Sequence, residues 1–265
     1  MKTTLATAFF LVTFTLCCIG IPAQTAAPQP SFDVASIKPV EPGPNSARYL
    51  VMQGPHRFVG KAYTLKLLIA AAYNLNPEAV TGGPAWMESS HYDILALTPG
   101  DKQPSHDEQM AMLRTMLSDR FKLSFHREPK VFAIYTLEVA RSGSKLKPST
   151  AAPTDQPYLI STVYPQRIVM PAKNASMADF VSVLQRAILD RPVVDKTGLT
   201  GRYDFNLEWA PDESQFNGDV RPAPSDATDP PFFTAIEQQL GLRLEATRGP
   251  VNAIVVDHAD PPTPN

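Results

Sequence analysis

The chain has 265 residues, of which 43% are hydrophobic and 19% are charged, and its net charge is -2. This composition is typical of a globular protein and excludes a largely disordered chain. The mild acidity disfavours nucleic acid and anionic membrane surfaces as partners. The length leaves room for two ordinary domains.

Residues 1–23 are predicted to be a secretory signal peptide. Lys2 supplies a positive amino-terminal region, residues 5–21 form a charge-free apolar run, and Ala23 ends a suitable cleavage sequence. The alternative is an uncleaved membrane anchor, but the run is short and no positive charge follows it in residues 24–30. We therefore expect a secreted or periplasmic protein with no membrane contact after cleavage.

Both cysteines of the chain, Cys17 and Cys18, lie inside the predicted signal peptide. Lipid modification is disfavoured because Leu16, rather than a small residue, precedes Cys17. The exported chain would therefore hold no disulfide, no thiolate metal site and no thiol nucleophile. Without Lys2 it has 23 basic and 26 acidic side chains, a net charge of -3.

The first half of the chain, residues 31–146, is predicted to be an α+β unit. Thr64 and Ser105 are the expected N-caps of two helices, and Glu108 completes a capping box with Ser105. Alternation of apolar and polar residues predicts strands around these helices. The predicted strands are residues 32–39, 57–59, 91–97, 121–126 and 131–139, the last two joined as a hairpin.

The second half, residues 158–262, is predicted to follow the same order of elements. Ser176 is the expected N-cap of its first helix, and residues 232–240 form the second. Its predicted strands are residues 160–163, 167–169, 203–209, 242–246 and 251–256, and the last two again form a hairpin.

Two segments lack the periodicity of either half. Residues 147–157 contain three prolines and are predicted to be a linker. Residues 211–231 are acidic and rich in proline, which predicts a mobile surface loop inserted into the second half.

The two halves also share sequence. Tyr92-Asp93 recurs as Tyr203-Asp204, and the offset between all matched positions drifts only from 110 to 121 residues. A repeat of this length corresponds to a small domain. The predicted fold is therefore two tandem copies of a strand-helix-strand-helix-strand-strand unit, each a sheet with helices on one face.

Several motifs resemble those of a known family. Residues 82–86 (GGPAW), 119–123 (DRFKL), 191–205 (RPVVDKTGLTGRYDF) and 239–242 (QLGL) are similar to the soil-associated protein family, over about residues 31–262. This resemblance implies a secreted bacterial protein built around a domain of unknown function. The same domain occurs joined to membrane metallopeptidases of the antibiotic-sensor type, which implies a sensing or binding role outside the cytoplasm.

The element order of each half also resembles the short amino-terminal domain of secretins and TonB-dependent receptors. That module makes protein contacts in the periplasm. The resemblance implies a structural assembly unit as one alternative function, although a shared fold does not by itself establish a shared function.

No residue is predicted to be catalytic, and no cofactor or metal is expected. The five histidines show no pair at metal-ligand spacing, and the His-Glu-x-x-His sequence of zinc peptidases is absent. Ser142 and Lys145 have the Ser-x-x-Lys spacing of penicillin-binding proteins, but Pro148 follows and predicts a turn instead of the required helix start. No glycine-rich phosphate loop opens a helix.

The sequence therefore favours a non-catalytic binding or sensing module whose partner is an unknown protein or small ligand of the cell envelope. A cysteine-free hydrolase that uses acidic residues or histidine at the cleft between the halves is a second alternative. For the two recurring aspartates, acceptance of loop N–H groups is the structural interpretation. Candidate ligand or partner contacts are Trp86, Tyr92, Asp93, Tyr203, Asp204 and Trp209.

Overall fold

The computed structural model describes residues 29–43, 46–218 and 220–262, and these form a mixed structure of three sheets and several short helices. The predicted α+β class is confirmed. The predicted signal peptide, residues 1–23, lies outside the described residues. In the part of the chain that is described, no helix is long and apolar enough to cross a membrane.

The two helices predicted in the first half begin where the sequence predicts, and a third, short helix was not predicted. The Thr64 side chain accepts a hydrogen bond from the backbone N–H of Leu67, and Ser105 and Glu108 form the predicted capping box. The elements of this half are β1 (Val34–Val40), β2 (Tyr49–Gln53), β3 (Arg57–Thr64), α1 (Leu65–Ala72), β4 (Val80–Gly82), α2 (Trp86–Ser89), β5 (His91–Leu97), α3 (His106–Phe121) and β6 (Ser124–Val139).

In the second half Ser176 again caps a helix, with Asp179 as its capping-box partner. Both longer helices of this half end in π-helical turns, Leu184–Ile188 and Ile236–Leu240. The elements are β7 (Lys147–Pro148), β8 (Tyr158–Leu159), β9 (Thr162–Val163), β10 (Ile168–Ser176), α4 (Met177–Val183), β11 (Val193–Asp195), β12 (Arg202–Trp209), α5 (Phe232–Ala235) and β13 (Leu242–His258).

The strands form two outer sheets and one central sheet. The order is β1-β5-β3-β2 in the first outer sheet, and it is β7-β12-β10-β8 in the second, where β9 also pairs with β10. All neighbours in both outer sheets are antiparallel. The central sheet has the order β11-β6-β13-β4, with parallel pairing at both of its ends.

The two predicted hairpins, at residues 121–139 and 242–256, are wrong. β6 and β13 are single strands of 16 and 17 residues that pair antiparallel with each other along almost their whole length. Pro129, expected in a turn, is paired with Asn252 inside this ribbon. A strand tolerates proline where its nitrogen faces away from the partner strand, and β11 does not reach this part of β6.

The two halves share this central ribbon. The first hydrophobic core, built on α1 and α3, also contains Ile254 and Val256 of β13. The second core, built on α4 and α5, contains Tyr135 and Leu137 of β6. Each core therefore includes side chains from a strand of the other half, and the halves are interwoven. Superposition of the complete halves as two copies of one unit stays a prediction.

The segments expected to be a linker and a mobile insert both make specific contacts. In residues 147–157, β7 pairs with β12, and the carbonyls of Ala152 and Asp155 accept hydrogen bonds from Asn174. In residues 211–231, Phe216 packs against the second core. The mobility of the insert stays a prediction.

Candidate functional site

Asp93, one of the sequence candidates, braces a bulge in the neighbouring strand. The pairing of β3 with β5 shifts register between Gly60 and Tyr63, and Ala62 in this bulge has a φ of 54°. Oδ1 of Asp93 accepts the backbone N–H of Ala62 at 3.1 Å, and Oδ2 contacts Nζ of Lys61 at 2.5 Å. The carboxylate thus stabilises a backbone conformation that non-glycine residues rarely adopt.

Asp204 has the same position and role in the second half. Oδ1 accepts the backbone N–H of Asn174, which has a φ of 50° in the bulge of β10, at 2.9 Å. Nζ of Lys173 lies 3.2 Å from Oδ2. The hydrogen bond from Asn174, with further ones from Ser149 and Lys173, holds the pKa of the Asp204 carboxyl below its usual value. Both aspartates therefore have the structural role of accepting loop N–H groups.

The aromatic candidates of the first half pack on one ring of the core. Trp86 stacks on Phe121 with a centroid distance of 6.5 Å, and Tyr92 meets the same ring edge-on at 5.4 Å. Tyr92 is buried, and burial raises the pKa of its phenol. These contacts are those of core side chains.

The aromatic candidates of the second half belong to the other core. Trp209 is fully buried against Phe232, and its indole N–H donates to Gln215. Tyr203 is partly buried against the same core. The six candidates therefore lie in or beside two different cores, and the structure does not bring them together into one site.

A cavity of about 270 Å³ lies between the two halves, and none of the six sequence candidates lines it. The first half contributes α1 through Leu67 and Ala71, together with Tyr63 at the end of β3. The second half contributes the π-helical turn Leu184–Ile188 and the insert. Further residues that line it are Arg48, Leu75, Pro77, Arg186, Phe216 and Val220.

Arg186 is a charged residue in the wall of this cavity. Its Nε donates to Oγ of Ser182 at 3.1 Å. Burial lowers the pKa of the guanidinium, and the nearby Tyr63 opposes this effect. No carboxylate among residues 29–43, 46–218 and 220–262 lies within 4.0 Å of its side-chain nitrogens. The cavity therefore presents a partly buried cation that pairs with no carboxylate of these residues.

Polar contacts between the halves hold the turn that carries Arg186. Nδ2 of the buried Asn76 donates to the carbonyls of Gln185 and Leu189, at 2.8 and 3.2 Å. Oγ of Ser182 donates to Oδ1 of Asn74 at 2.6 Å, and Nε2 of Gln185 donates to the Asn74 carbonyl at 2.8 Å. π-Helical turns within helices occur frequently at functional sites. Here the turn is fixed to the loop that follows α1.

A second, more open cleft of about 560 Å³ lies beside the first and shares Arg186 with it. His106 at the start of α3 lines one side, and Asp179 and Arg202 line another. Loss of solvation and the charge of Arg186 lower the pKa of the His106 imidazole, while Asp107 and Asp179 partly oppose this. The cleft thus gathers charged groups from both halves.

The hydrolase alternative requires an acid or base pair in this cleft. Asp179 accepts the backbone N–H and the hydroxyl of Ser176, at 2.9 and 2.6 Å, and lies 3.6 Å from Nη1 of Arg202. In the described part of the chain His106 makes no hydrogen bond to a carboxylate. The carboxylate of Asp179 is therefore engaged in capping the helix and pairing with arginine instead of orienting the histidine.

The Ser-x-x-Lys sequence also lacks the geometry of a nucleophile. Ser142 lies in a turn after β6, and Nζ of Lys145 donates to the carbonyl of Gln238 at 2.6 Å. No helix begins at Ser142, so neither a helix amino terminus nor the lysine is placed to activate its hydroxyl.

Sequence reasoning missed Arg186 for an identifiable reason. It is one basic residue in a predicted helix, and a basic residue there is commonly solvated. Its only local signal is the position between Leu184 and the apolar pair Ile188-Leu189, on a helix that buries most of its surface. The surfaces that surround it come from α1 and from the insert, which are distant in sequence.

Residues 66–259 match the model of a family described as a protein of unknown function, DUF3738. The match extends over more than half of the chain and includes α1 from Lys66 onward, Arg186 and the insert, whereas Arg48 and Tyr63 precede it. No curated protein and no solved structure matches the chain.

Proposed function

Because the chain belongs to the DUF3738 family, whose description assigns no activity, we propose from its site that it is an exported, non-catalytic binding or sensing module of the cell envelope. The observation that carries the proposal is the cavity between the halves with Arg186 in its wall. Ligand sites are commonly concave, mostly apolar and supplied with a few placed polar groups. This cavity has those three properties.

Export is proposed from the sequence, through Lys2, the apolar run of residues 5–21 and the small residue Ala23. The similarity to the soil-associated protein family supports the same location. The domain of that family also occurs joined to membrane metallopeptidases of the antibiotic-sensor type, which supports a sensing role. Amino-terminal sequencing of protein purified from the envelope should begin near Gln24, and an intact Met1 in membrane-embedded protein would contradict export.

The interwoven fold gives a physical basis for sensing. A ligand in the cavity would touch α1 of the first half and the π-helical turn of the second at the same time. The same two elements are joined by the hydrogen bonds of Asn74 and Asn76. Occupancy would therefore add contacts between the halves and stabilise their arrangement through its binding free energy.

Ligand-observed NMR tests the binding function. A fragment library of acids, alcohols, amides and amines would be screened against the exported protein, its Ala71→Leu variant and an Ala246→Leu control. Ala71 is buried and lines the cavity, whereas Ala246 is exposed on β13. We expect fragments that bind the native protein and the control but not Ala71→Leu. Fragments that bind all three equally, or no fragments at all, would argue against this cavity.

The outer face of the first sheet favours assembly as a second candidate function. Leu95 and Leu97 of β5 and Val51 of β2 are 43%, 42% and 41% exposed, and Leu97 lies opposite the exposed Val34. Exposed apolar patches commonly mark protein contacts. Sedimentation velocity of the native protein and a Leu95→Arg, Leu97→Arg variant tests this, since an assembly unit should self-associate only with the native face.

A further inference from the structure

One wall of the cavity between the halves carries the positive charge of Arg186. The polar residues that line it are Arg48, Tyr63 and Arg186, and its other lining residues are apolar. Of the residues that the structure describes, no aspartate or glutamate lines it. Such a cavity attracts an anion, because the field of Arg186 is confined by walls of low polarity.

Arg186 adds chemical detail to this preference. It is taken partly out of water and has no carboxylate partner in the described part of the chain, which disfavours folding. Residues that reduce stability in this way are commonly kept for function. Its planar donors match the two oxygens of a carboxylate, a geometry that a point charge such as lysine does not provide.

The remaining walls select the rest of the ligand. Leu67 and Leu75 come from α1 and the loop after it, and Phe216 and Val220 come from the insert. Phe216 has a φ of 53°, which is unusual for a bulky residue, and its ring is nevertheless held against the second core. These side chains would bury an apolar group, whereas a small inorganic anion would leave them without a contact.

We infer that the cavity binds a small organic carboxylate whose charged end contacts Arg186 and whose apolar body lies between α1 and the insert. This inference rests on the proposed binding function and specifies the ligand class for the same site. The ligand bridges the halves, because Arg186 belongs to the second and the apolar wall of α1 to the first.

Matched acids and amides test the ligand class. Phenylacetate and octanoate would be titrated calorimetrically into the exported protein beside phenylacetamide and octanamide, with sulfate as the inorganic anion. A charged hydrogen bond contributes about 1.5–3 kcal/mol, so each acid should bind about 10- to 100-fold more tightly than its amide. Sulfate should bind more weakly than either acid, because it buries no apolar surface.

Substitution of Arg186 separates a ligand-binding role from a structural one. In Arg186→Met the acids should lose their advantage over the amides, while the ligand-free variant should keep or raise its melting temperature. Arg186→Lys should retain part of the preference, since it keeps the charge but not the planar fork. Arg167→Met is the control, because Arg167 is exposed, pairs with Glu208 and does not line the cavity.

Three binding results would overturn the inference, and one stability result would do so as well. The first is equal binding of acids and amides in the cavity, which leaves the binding function standing and removes the carboxylate. The second is a preference for acids that survives in Arg186→Met. The third is absence of binding by both acids, and the fragment screen on Ala71→Leu then decides separately whether the cavity binds anything. A loss of melting temperature in Arg186→Met would show a structural role for the arginine.

Discussion

The indole Nε1 of Trp209 donates a hydrogen bond of 2.8 Å to Oε1 of Gln215, and both side chains are buried. Gln215 belongs to the insert, and its Nε2 in turn donates to Asp212 at 2.7 Å. This chain of contacts anchors the insert to the second core. It also positions Phe216, the next residue, at the wall of the cavity.

We predict that Gln215→Ala lowers the free energy of unfolding by about 1–3 kcal/mol, because it leaves the buried N–H of Trp209 without an acceptor. Urea denaturation followed by tryptophan fluorescence measures this. The control Glu213→Ala changes an exposed residue of the same segment and should alter stability by less than about 0.5 kcal/mol. Equal stability of the two variants would show that the insert is not anchored through this contact.

We predict that Asn76→Ala weakens the contact between the halves. Its amide donates to two carbonyls of the other half from a buried position, so the variant should lose about 1–3 kcal/mol of stability. Asn252→Ala, at an exposed position of β13, serves as the control. If the stability that is lost exceeds the free energy that couples the unfolding of the two halves, denaturation should show two transitions. A single unchanged transition in both variants would contradict the prediction.

We predict that Asp204 contributes to the stability of the fold and that this contribution is lost at low pH. Its hydrogen bonds from Asn174, Ser149 and Lys173 lower its pKa in the folded protein. The contribution is therefore present above the ordinary pKa of about 3.9 and is lost as the pH falls through the lowered value. The stability of Asp204→Asn should therefore depend less on pH below about 3.9 than the stability of the native protein, and acid unfolding monitored by circular dichroism measures both.

The control for this measurement is Asp226→Asn, at an exposed position of the insert. It should retain the acid dependence of the native protein. An Asp204→Asn variant with the native acid dependence would mean that the carboxylate does not brace the bulge.

We predict that the stability contributed at His106 also falls as the pH is lowered, although histidine is a base and Asp204 is an acid. Loss of solvation and Arg186 lower its pKa when the protein is folded. Its neutral form is thus favoured by folding, and stability is complete above the ordinary histidine pKa of about 6.5 and declines as the pH falls toward the lowered value. In His106→Gln the melting temperature should decline less over this range.

His258→Gln, at the exposed last residue of β13, is the matched control for the loss of an imidazole. Melting curves at closely spaced pH values measure both variants. Identical slopes in His106→Gln and the native protein would show that the second cleft does not perturb this imidazole.

Local structure followed from the sequence because the interactions that set it are local. Thr64, Ser105 and Ser176 cap their helices through partners only three residues away, so the residue types at that spacing were sufficient. Alternation likewise identified β5 and β12, because each strand buries one face. The α+β class followed from these elements.

The pairing of strands was decided by the tertiary structure. Alternation shows that a strand has a buried face but does not identify its neighbour, so the prolines at positions 129 and 250 suggested turns in what are continuous strands. The true partners, β6 and β13, are separated by more than a hundred residues. The recurrence of Asp93 as Asp204 was visible in the sequence. The bulge that each aspartate braces was not, because it lies on the neighbouring strand, β3 for Asp93 and β10 for Asp204.

The cavity depended most strongly on the tertiary structure. Arg186, Leu67 and Phe216 are distant in sequence and follow no shared pattern, and they meet only because the shared ribbon places α1, the π-helical turn and the insert side by side. The sequence by itself determined which segments fold into helices and strands, since capping and periodic burial act over a few residues. The tertiary structure decided that Arg186 meets no carboxylate among the residues described, since that depends on every element packed around it.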